Sequence, residues 1–223
     1  MYAAKTNPKK RQRAPSRRSL ETRRKVFEAA EHLFAERGYE GSSTRDIAAR
    51  AGVTPALVLF HGQSKQALFE SVVEARAEEL ARLRREALAT VLAGPAPDLR
   101  GIIGAFIRPL LAQATGEDAG WRAYARLIAL VSADPAWREL TQRCFDPTVG
   151  IFTEEIARLY PRADREEMAA ALVFSVSAML SLIATRWRID AMAGAAGGTG
   201  RDHTETLIEY CHAGLERILG APK

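Results

Sequence analysis

Between Ser43 and Lys65 the chain reads STRDIAARAGVTPALVLFHGQSK, and this stretch restricts the fold more than any other. Ser43 and Asp46 form an S-x-x-D capping-box pattern, which opens a helix. Ile47, Ala48 and Ala51 give that helix a narrow apolar face. Gly52 ends it at a position suited to positive φ, and Val53 turns back toward the core. Thr54 is a second N-cap, with Pro55 at the first helical position, where a missing N–H costs nothing. The second helix is short, from Pro55 to about Phe60 or His61, and Ser64 caps a third. Helix, glycine turn and helix make a helix-turn-helix, a motif whose second helix can lie in a DNA major groove.

The charge distribution agrees with a polyanionic partner. The net charge is +5, but residues 1–65 hold 14 Lys and Arg against 6 Asp and Glu, whereas residues 66–223 hold 18 against 21. Basicity confined to one end is the electrostatic footprint of nucleic-acid binding. The first 18 residues are polar and basic and include Pro8 and Pro15, so they are expected to form a disordered arm. They contain no apolar run of the kind a secretory signal needs. The two cysteines, Cys144 and Cys211, follow no disulfide or metal-ligand spacing, which fits a reduced, cytoplasmic setting. Met168 to Ala184 is apolar but short for a membrane span and carries three serines, so it reads as a central buried helix.

The remaining segments have helical period throughout, and no useful period-2 alternation occurs, so the fold class is all-α. A first helix is expected from an N-cap at Ser19 or Thr22 to Arg37, with Val26, Ala29, Ala30, Leu33 and Phe34 on one stripe and Gly38 ending it. A long helix should run from Lys65 to about Leu92, roughly 40 Å at 1.5 Å per residue, and end at Gly94-Pro95-Ala96-Pro97. Beyond it, helices are expected at 99–113 with a kink or early end at Pro109, at 121–132, at 136–160 with an interruption at Pro147, from Asp164 to about Ala193, and from about His203 to Leu219. The GAAGGTG segment, 194–200, reads as a linker. The domain reading is an arm over 1–18, a helix-turn-helix domain over 19–80 and a C-terminal helical domain over 81–223.

The N-terminal third resembles the TetR family of transcriptional regulators. The resemblance rests on Leu33-Phe34-Ala35-Glu36-Arg37-Gly38-Tyr39, Ser43-x-Arg45-Asp46-Ile47-Ala48, Ala51-Gly52-Val53-Thr54, His61 and Ser64-Lys65-x-Ala67-Leu68, in matching order across about 50 residues. The C-terminal two-thirds resembles the family only in length and helical pattern. The resemblance implies a homodimer that reads a palindromic double-stranded operator, a C-terminal domain that holds a small-molecule effector, and release from DNA when the effector binds. It implies DNA contacts from Ser43, Thr44, Arg45, Thr54, Pro55, Ala56, Leu57, Phe60, His61 and Lys65. Two positions depart from the family pattern: Leu59 stands where a tyrosine is usual, and Gly62 where an aromatic residue is usual.

From Pro55 to Phe60 the recognition helix has no amide, Arg or Lys side chain able to contact a base edge bidentately. Its exposed residues are instead suited to thymine methyl groups. Polar readout is then expected from Arg45, with phosphate or minor-groove contacts from Lys9, Lys10, Arg11, Arg13, Arg17 and Arg18 of the arm. Among the C-terminal aromatics, Phe106, Trp121, Tyr124 and Phe174 are the expected lining of an effector pocket, and an apolar lining predicts an apolar or amphipathic effector. Arg108 or Arg126 could pair an acidic head. The last two long helices, with Ala169, Ala170, Ser175, Ser177, Ala178 and Ser181, are the expected dimer surface. No nucleophile–base signature, phosphate-binding glycine loop or metal spacing occurs, so neither catalysis nor a cofactor is expected. The leading function is a ligand-responsive repressor. An activator, or an architectural DNA-binding protein without an effector, is the alternative.

Overall fold

The computed structural model describes residues 16–195 and 200–220, and these form nine α-helices with no strand. The first, α1, is Arg17–Arg37, and its cap is Ser16, whose Oγ accepts the Ser19 N–H at 3.2 Å. The expected caps, Ser19 and Thr22, therefore lie inside the helix. Arg17 and Arg18 belong to its first turn rather than to the arm; Lys9, Lys10, Arg11 and Arg13 lie outside the described residues. Gly38 ends α1 with φ 69° and donates its N–H to the Phe34 carbonyl.

Helix α2 is Thr44–Ala51 and α3 is Pro55–Gly62. The capping box at α2 is complete: Ser43 Oγ accepts the Asp46 N–H at 3.1 Å, and the Asp46 carboxylate accepts the Ser43 N–H at 3.1 Å. Gly52 closes α2 in the left-handed region (φ 64°, ψ 36°), so the chain turns sharply into α3. Helix α4, Lys65–Leu92, starts under the Ser64 cap. Val26, Ala30, Phe34, Ile47, Val58, Leu68 and Val73 form the core of this reading head.

The C-terminal body contains α5 (Leu99–Thr115), α6 (Ala119–Val131), α7 (Arg138–Leu159), α8 (Arg165–Met192) and α9 (Thr204–Leu219). Asp98, Asp118 and Asp164 cap α5, α6 and α8. Neither Pro109 nor Pro147 ends its helix: α5 and α7 run through them. Proline removes one intrahelical bond, and the packing of α5 on α4, α6 and α9 and of α7 on α4 and α5 outweighs that loss. The restart at Asp134-Pro135 is a short 3-10 turn, Pro135–Trp137, before α7. The 196–199 part of the expected linker lies outside the described residues.

The body and the reading head are not joined by α4 alone. Helix α6 packs along α1 and places Ala123, Leu127 and Val131 in the reading-head core. Trp137 packs edge to face against Tyr39 and at a tilt against Phe69, with ring centroids 4.9 and 4.3 Å apart. Arg76 on α4 pairs bidentately with Glu31 on α1, at 2.9 and 3.2 Å, and lies over the Trp121 ring of α6. One nearly buried ion pair thus ties three helices together.

Helix α8 departs from the expected central helix. Only Met168, Ala171 and Met179 are buried along its 28 residues. Apolar residues surround it on all sides, so no period separates a core face from a free one. Val173, Phe174, Trp187, Ile189 and Met192 face solvent in the single chain. By length and hydropathy this helix alone among the described residues could cross a membrane.

Candidate nucleic-acid interface and cavity

The recognition helix presents an apolar face to solvent because Val58 alone of its large side chains is drawn into the core. Thr54, Pro55, Ala56, Leu57, Leu59 and Phe60 are exposed, Phe60 to 74% of its surface. Thr54 occupies the N-cap position, but its hydroxyl makes no capping bond. That hydroxyl therefore stays available, while the Thr54 carbonyl receives the first helical N–H groups, from Leu57 and Val58. A groove between the start of α1 and α3 brings Arg18, Lys25, Thr54, Leu57, Phe60 and His61 together. Sequence reasoning missed Lys25 as part of this wall. The Phe60 and His61 rings meet edge to face at 5.0 Å.

The basic side chains around the head divide by partner. Arg37 approaches Asp46 at 3.9 Å and Arg50 binds Glu36 at 2.8 Å. The Glu36 carboxyl is lowered chiefly by that Arg50 bond. Arg45, in the first turn of α2 between Thr44 and Asp46, is exposed. Ser43 and Thr44 are half-buried beside it. Lys65 rests its ammonium 4.0 Å above the Tyr39 ring, which holds its position at the start of α4.

The two departures from the family pattern have different outcomes. Leu59 is exposed and offers no hydroxyl. Gly62 is required by packing: a Cβ there would sit 2.8 Å from the Leu68 Cβ, and Leu68 is wholly buried. The space an aromatic side chain would need is filled from α4, and Phe60 does not fill it. The next residue, Gln63, has φ 62° and ψ −60°, the one positive φ outside glycine among the described residues. With the Ser64 N–H donated to the Gly62 carbonyl at 2.7 Å, it forms a three-residue turn of the strained γ type.

A cavity of about 630 Å³ lies between α4, α5, α6, α7 and α8. Leu80, Phe106, Ile128, Phe145, Val176 and Met179 give it mainly apolar walls, within the size range of small-molecule sites. Of the four aromatics expected to line it, Phe106 alone does so. Trp121 and Tyr124 are core residues whose rings meet edge to face, with centroids 5.6 Å apart. Phe174, 65% exposed, points away from the body because α8 turns that face outward. The Tyr124 hydroxyl is buried without a hydrogen-bond partner, and its pKa is raised by burial. Arg108 is held by Glu205 at 2.8 and 3.0 Å, and Arg126 is exposed and borders a smaller, separate cleft.

Two charged residues line the cavity, Asp146 of α7 and Arg84 of α4; the buried one is Arg84, which sequence reasoning passed over. A signal existed: Leu80, Arg84 and Leu88 stand four residues apart, so a charge interrupts the inward stripe of α4. Arg84 is 4% exposed. Its Nε donates to the Phe106 carbonyl at 2.9 Å and its guanidinium lies 3.7 Å from the Phe106 ring centroid. Burial pushes its pKa down to about 9, which leaves it a cation at neutral pH.

A helix-turn-helix head beside a helical body with an apolar cavity defines a DNA-binding regulator rather than an enzyme. Among the described residues no group of His, Cys, Asp or Glu could hold a metal. Residues 26–72 match the pattern described as "Bacterial regulatory proteins, tetR family", and residues 104–214 match "Tetracyclin repressor-like, C-terminal domain". The chain belongs to the TetR family of transcriptional regulators. It is 40% identical over 75 residues to the HTH-type transcriptional repressor Rv3405c of Mycobacterium tuberculosis (strain ATCC 25618 / H37Rv), covering 31% of this chain and 40% of that one. It is 40% identical over 55 residues to the HTH-type transcriptional repressor BepR of Brucella suis biovar 1 (strain 1330), covering 25% of this chain and 26% of BepR. The chain thus spans well under half the length of either relative. The multidrug binding protein EbrR complexed with malachite green has a similar fold, with a TM-score of 0.58 at 21% identity over 93% of this chain and 100% of that one.

Proposed function

We propose that the protein is a cytoplasmic repressor that binds a palindromic operator as a homodimer and is released by a small apolar or amphipathic effector. The observation that carries the DNA-reading part is the exposed apolar face of α3, with Leu57 and Phe60 outward beside Arg18 and Lys25. From Pro55 to Phe60 this face has no donor or acceptor for a base edge; the contact left to those residues is with thymine methyl groups, while Arg45 supplies polar readout. Two relatives named repressors support the direction of regulation. The homodimer rests on α8 and α9, whose Val173, Phe174, Trp187, Met192 and Tyr210 form an apolar surface with no cover in the single chain. Covering it with the same surface of a second copy would make a four-helix interface. The effector part rests on the cavity, and a ligand-bound protein of similar fold supports it. A ligand in that cavity would touch α4 and the Ile128–Ala129 face of α6, whose other face lies in the reading-head core. Both helices would carry the signal, as a shift between binding-competent and incompetent head positions.

The test is selection of bound DNA from a random pool, followed by replacement of the selected thymines with uracil. The expected result is a palindrome with thymine under α3 in each half-site. Each lost methyl should weaken binding about fourfold, the equivalent of ~0.8 kcal/mol. An asymmetric site, or uracil DNA bound as tightly as thymine DNA, would contradict the proposal.

A further inference from the structure

The cavity walls are mainly apolar, and Arg84 is the one cation among their residues. A guanidinium buried this deeply is costly unless a carboxylate or several hydrogen bonds compensate it. Arg84 has one protein oxygen, the Phe106 carbonyl, a weak contact to the Met179 sulfur at 3.8 Å, and the face of one ring. Among the described residues no carboxylate lies within ion-pairing distance of it. Asp146 also lines the cavity, but it is an exposed residue of α7 and forms no ion pair with Arg84. The remaining lining is hydrocarbon, hydroxyl or backbone. A fold that keeps an unpaired cation at the inner wall of an apolar chamber is built for a counter-charge from outside the chain.

We infer that the effector is an amphipathic anion, with an apolar body in the cavity and an acidic head group on Arg84. This inference rests on the cavity being the effector site and adds the chemical class of its occupant. Depression of the Arg84 pKa by burial agrees with a cation that lacks its partner. Its placement also suits a switch. Arg84 lies on α4, the same helix whose Leu68, Phe69, Val72 and Val73 sit in the reading-head core. A head group that draws the guanidinium toward the cavity pulls on the helix that carries the head.

The experiment uses the full chain and three probes of equal length: dodecanoate, dodecanol and dodecyltrimethylammonium, each below its micelle concentration. Binding is measured by calorimetry and by thermal shift near neutral pH, in wild type, Arg84→Met, Arg84→Lys and Val176→Trp. Dodecanoate is expected to bind wild type at least about tenfold more tightly than dodecanol, the factor one charge-assisted bond supplies. The ammonium probe should bind worst. Arg84→Met should keep dodecanol binding and lose the preference for dodecanoate, and Arg84→Lys should restore part of it. Val176→Trp, which fills the chamber, should weaken all three probes alike. Equal binding of dodecanoate and dodecanol by wild type, or an unchanged preference in Arg84→Met, overturns the anion assignment and leaves the cavity as a site for neutral ligands. Failure of all three probes to bind wild type, or binding indifferent to Val176→Trp, overturns the cavity reading and the assignment with it.

Discussion

Replacing Gln63 by glycine should stabilise the protein, although glycine substitutions ordinarily do the reverse. Gln63 stands between α3 and α4 with φ 62° and ψ −60°, at the centre of a turn closed by the Ser64 N–H and the Gly62 carbonyl. Its side chain is exposed. A β-carbon in that backbone region costs of order 1–3 kcal/mol, and glycine removes the cost. Against this stands the extra freedom of glycine in the unfolded chain, about 0.5–1 kcal/mol. The balance is a gain of about 1 kcal/mol, or about 2–4 °C in Tm for a chain of this size. Thermal unfolding of wild type, Gln63→Gly and Gln63→Ala, followed by circular dichroism, measures it. Alanine keeps the β-carbon and loses the amide, so it should melt with wild type. A Gln63→Gly protein that melts no higher than Gln63→Ala would refute the strain argument and place the effect in the side chain. The turn fixes how α3 leaves α4, so operator affinity reports in the same samples whether the strained geometry also positions the recognition helix.

Two other substitutions test the connections between parts. Arg76→Met should destabilise the protein by about 3 kcal/mol in urea unfolding, because the Glu31 carboxylate, 7% exposed, then stays buried without its partner; adding Glu31→Gln should recover most of the loss, and failure to recover would mean that Arg76 acts mainly by packing on Trp121. Phe174→Glu with Trp187→Glu should give a folded monomer in sedimentation and an operator affinity at least about tenfold lower, whereas a persistent dimer would remove α8 from the interface.

The reading head was legible because its signals are local. Caps at Ser43 and Ser64, the glycine at 52, the proline at 55 and the single stripe of α1 each act within one or two turns, and the structure keeps them. Two details of the head go beyond what residue type specifies. Thr54 has the cap residue type but makes no capping bond, since residue type gives a preference and not a rotamer. Gly62 stands where an aromatic residue is usual in the family, and its missing side chain is what lets Leu68 approach. Whether a small residue leaves a hole or admits a neighbour depends on the facing helix, which no local pattern names. The kink or early end expected at Pro109 and the interruption expected at Pro147 fail in the same way: the cost of the lost hydrogen bond is local, whereas the contacts that outweigh it come from other helices.

The C-terminal body shows where hydrophobicity stops being informative. Phe106, Trp121, Tyr124 and Phe174 are equivalent in sequence, each an aromatic residue on an apolar helix. The structure sends one to the cavity, two to the core and one to solvent. Burial, ligand binding and subunit association all draw on the same apolar side chains, so composition cannot separate them. Charge can, because its cost changes sharply with environment. Arg84 interrupts an apolar stripe at the spacing of Leu80 and Leu88, and an interruption of that kind is either tolerated at a surface or held for a purpose inside. Arg84 is buried, and on the anion reading proposed above that burial turns attention from the aromatics to the one cation among the residues lining the cavity. In a helical body with apolar residues on every side, the misplaced charge is therefore a sharper guide to the ligand than the aromatic residues that surround it.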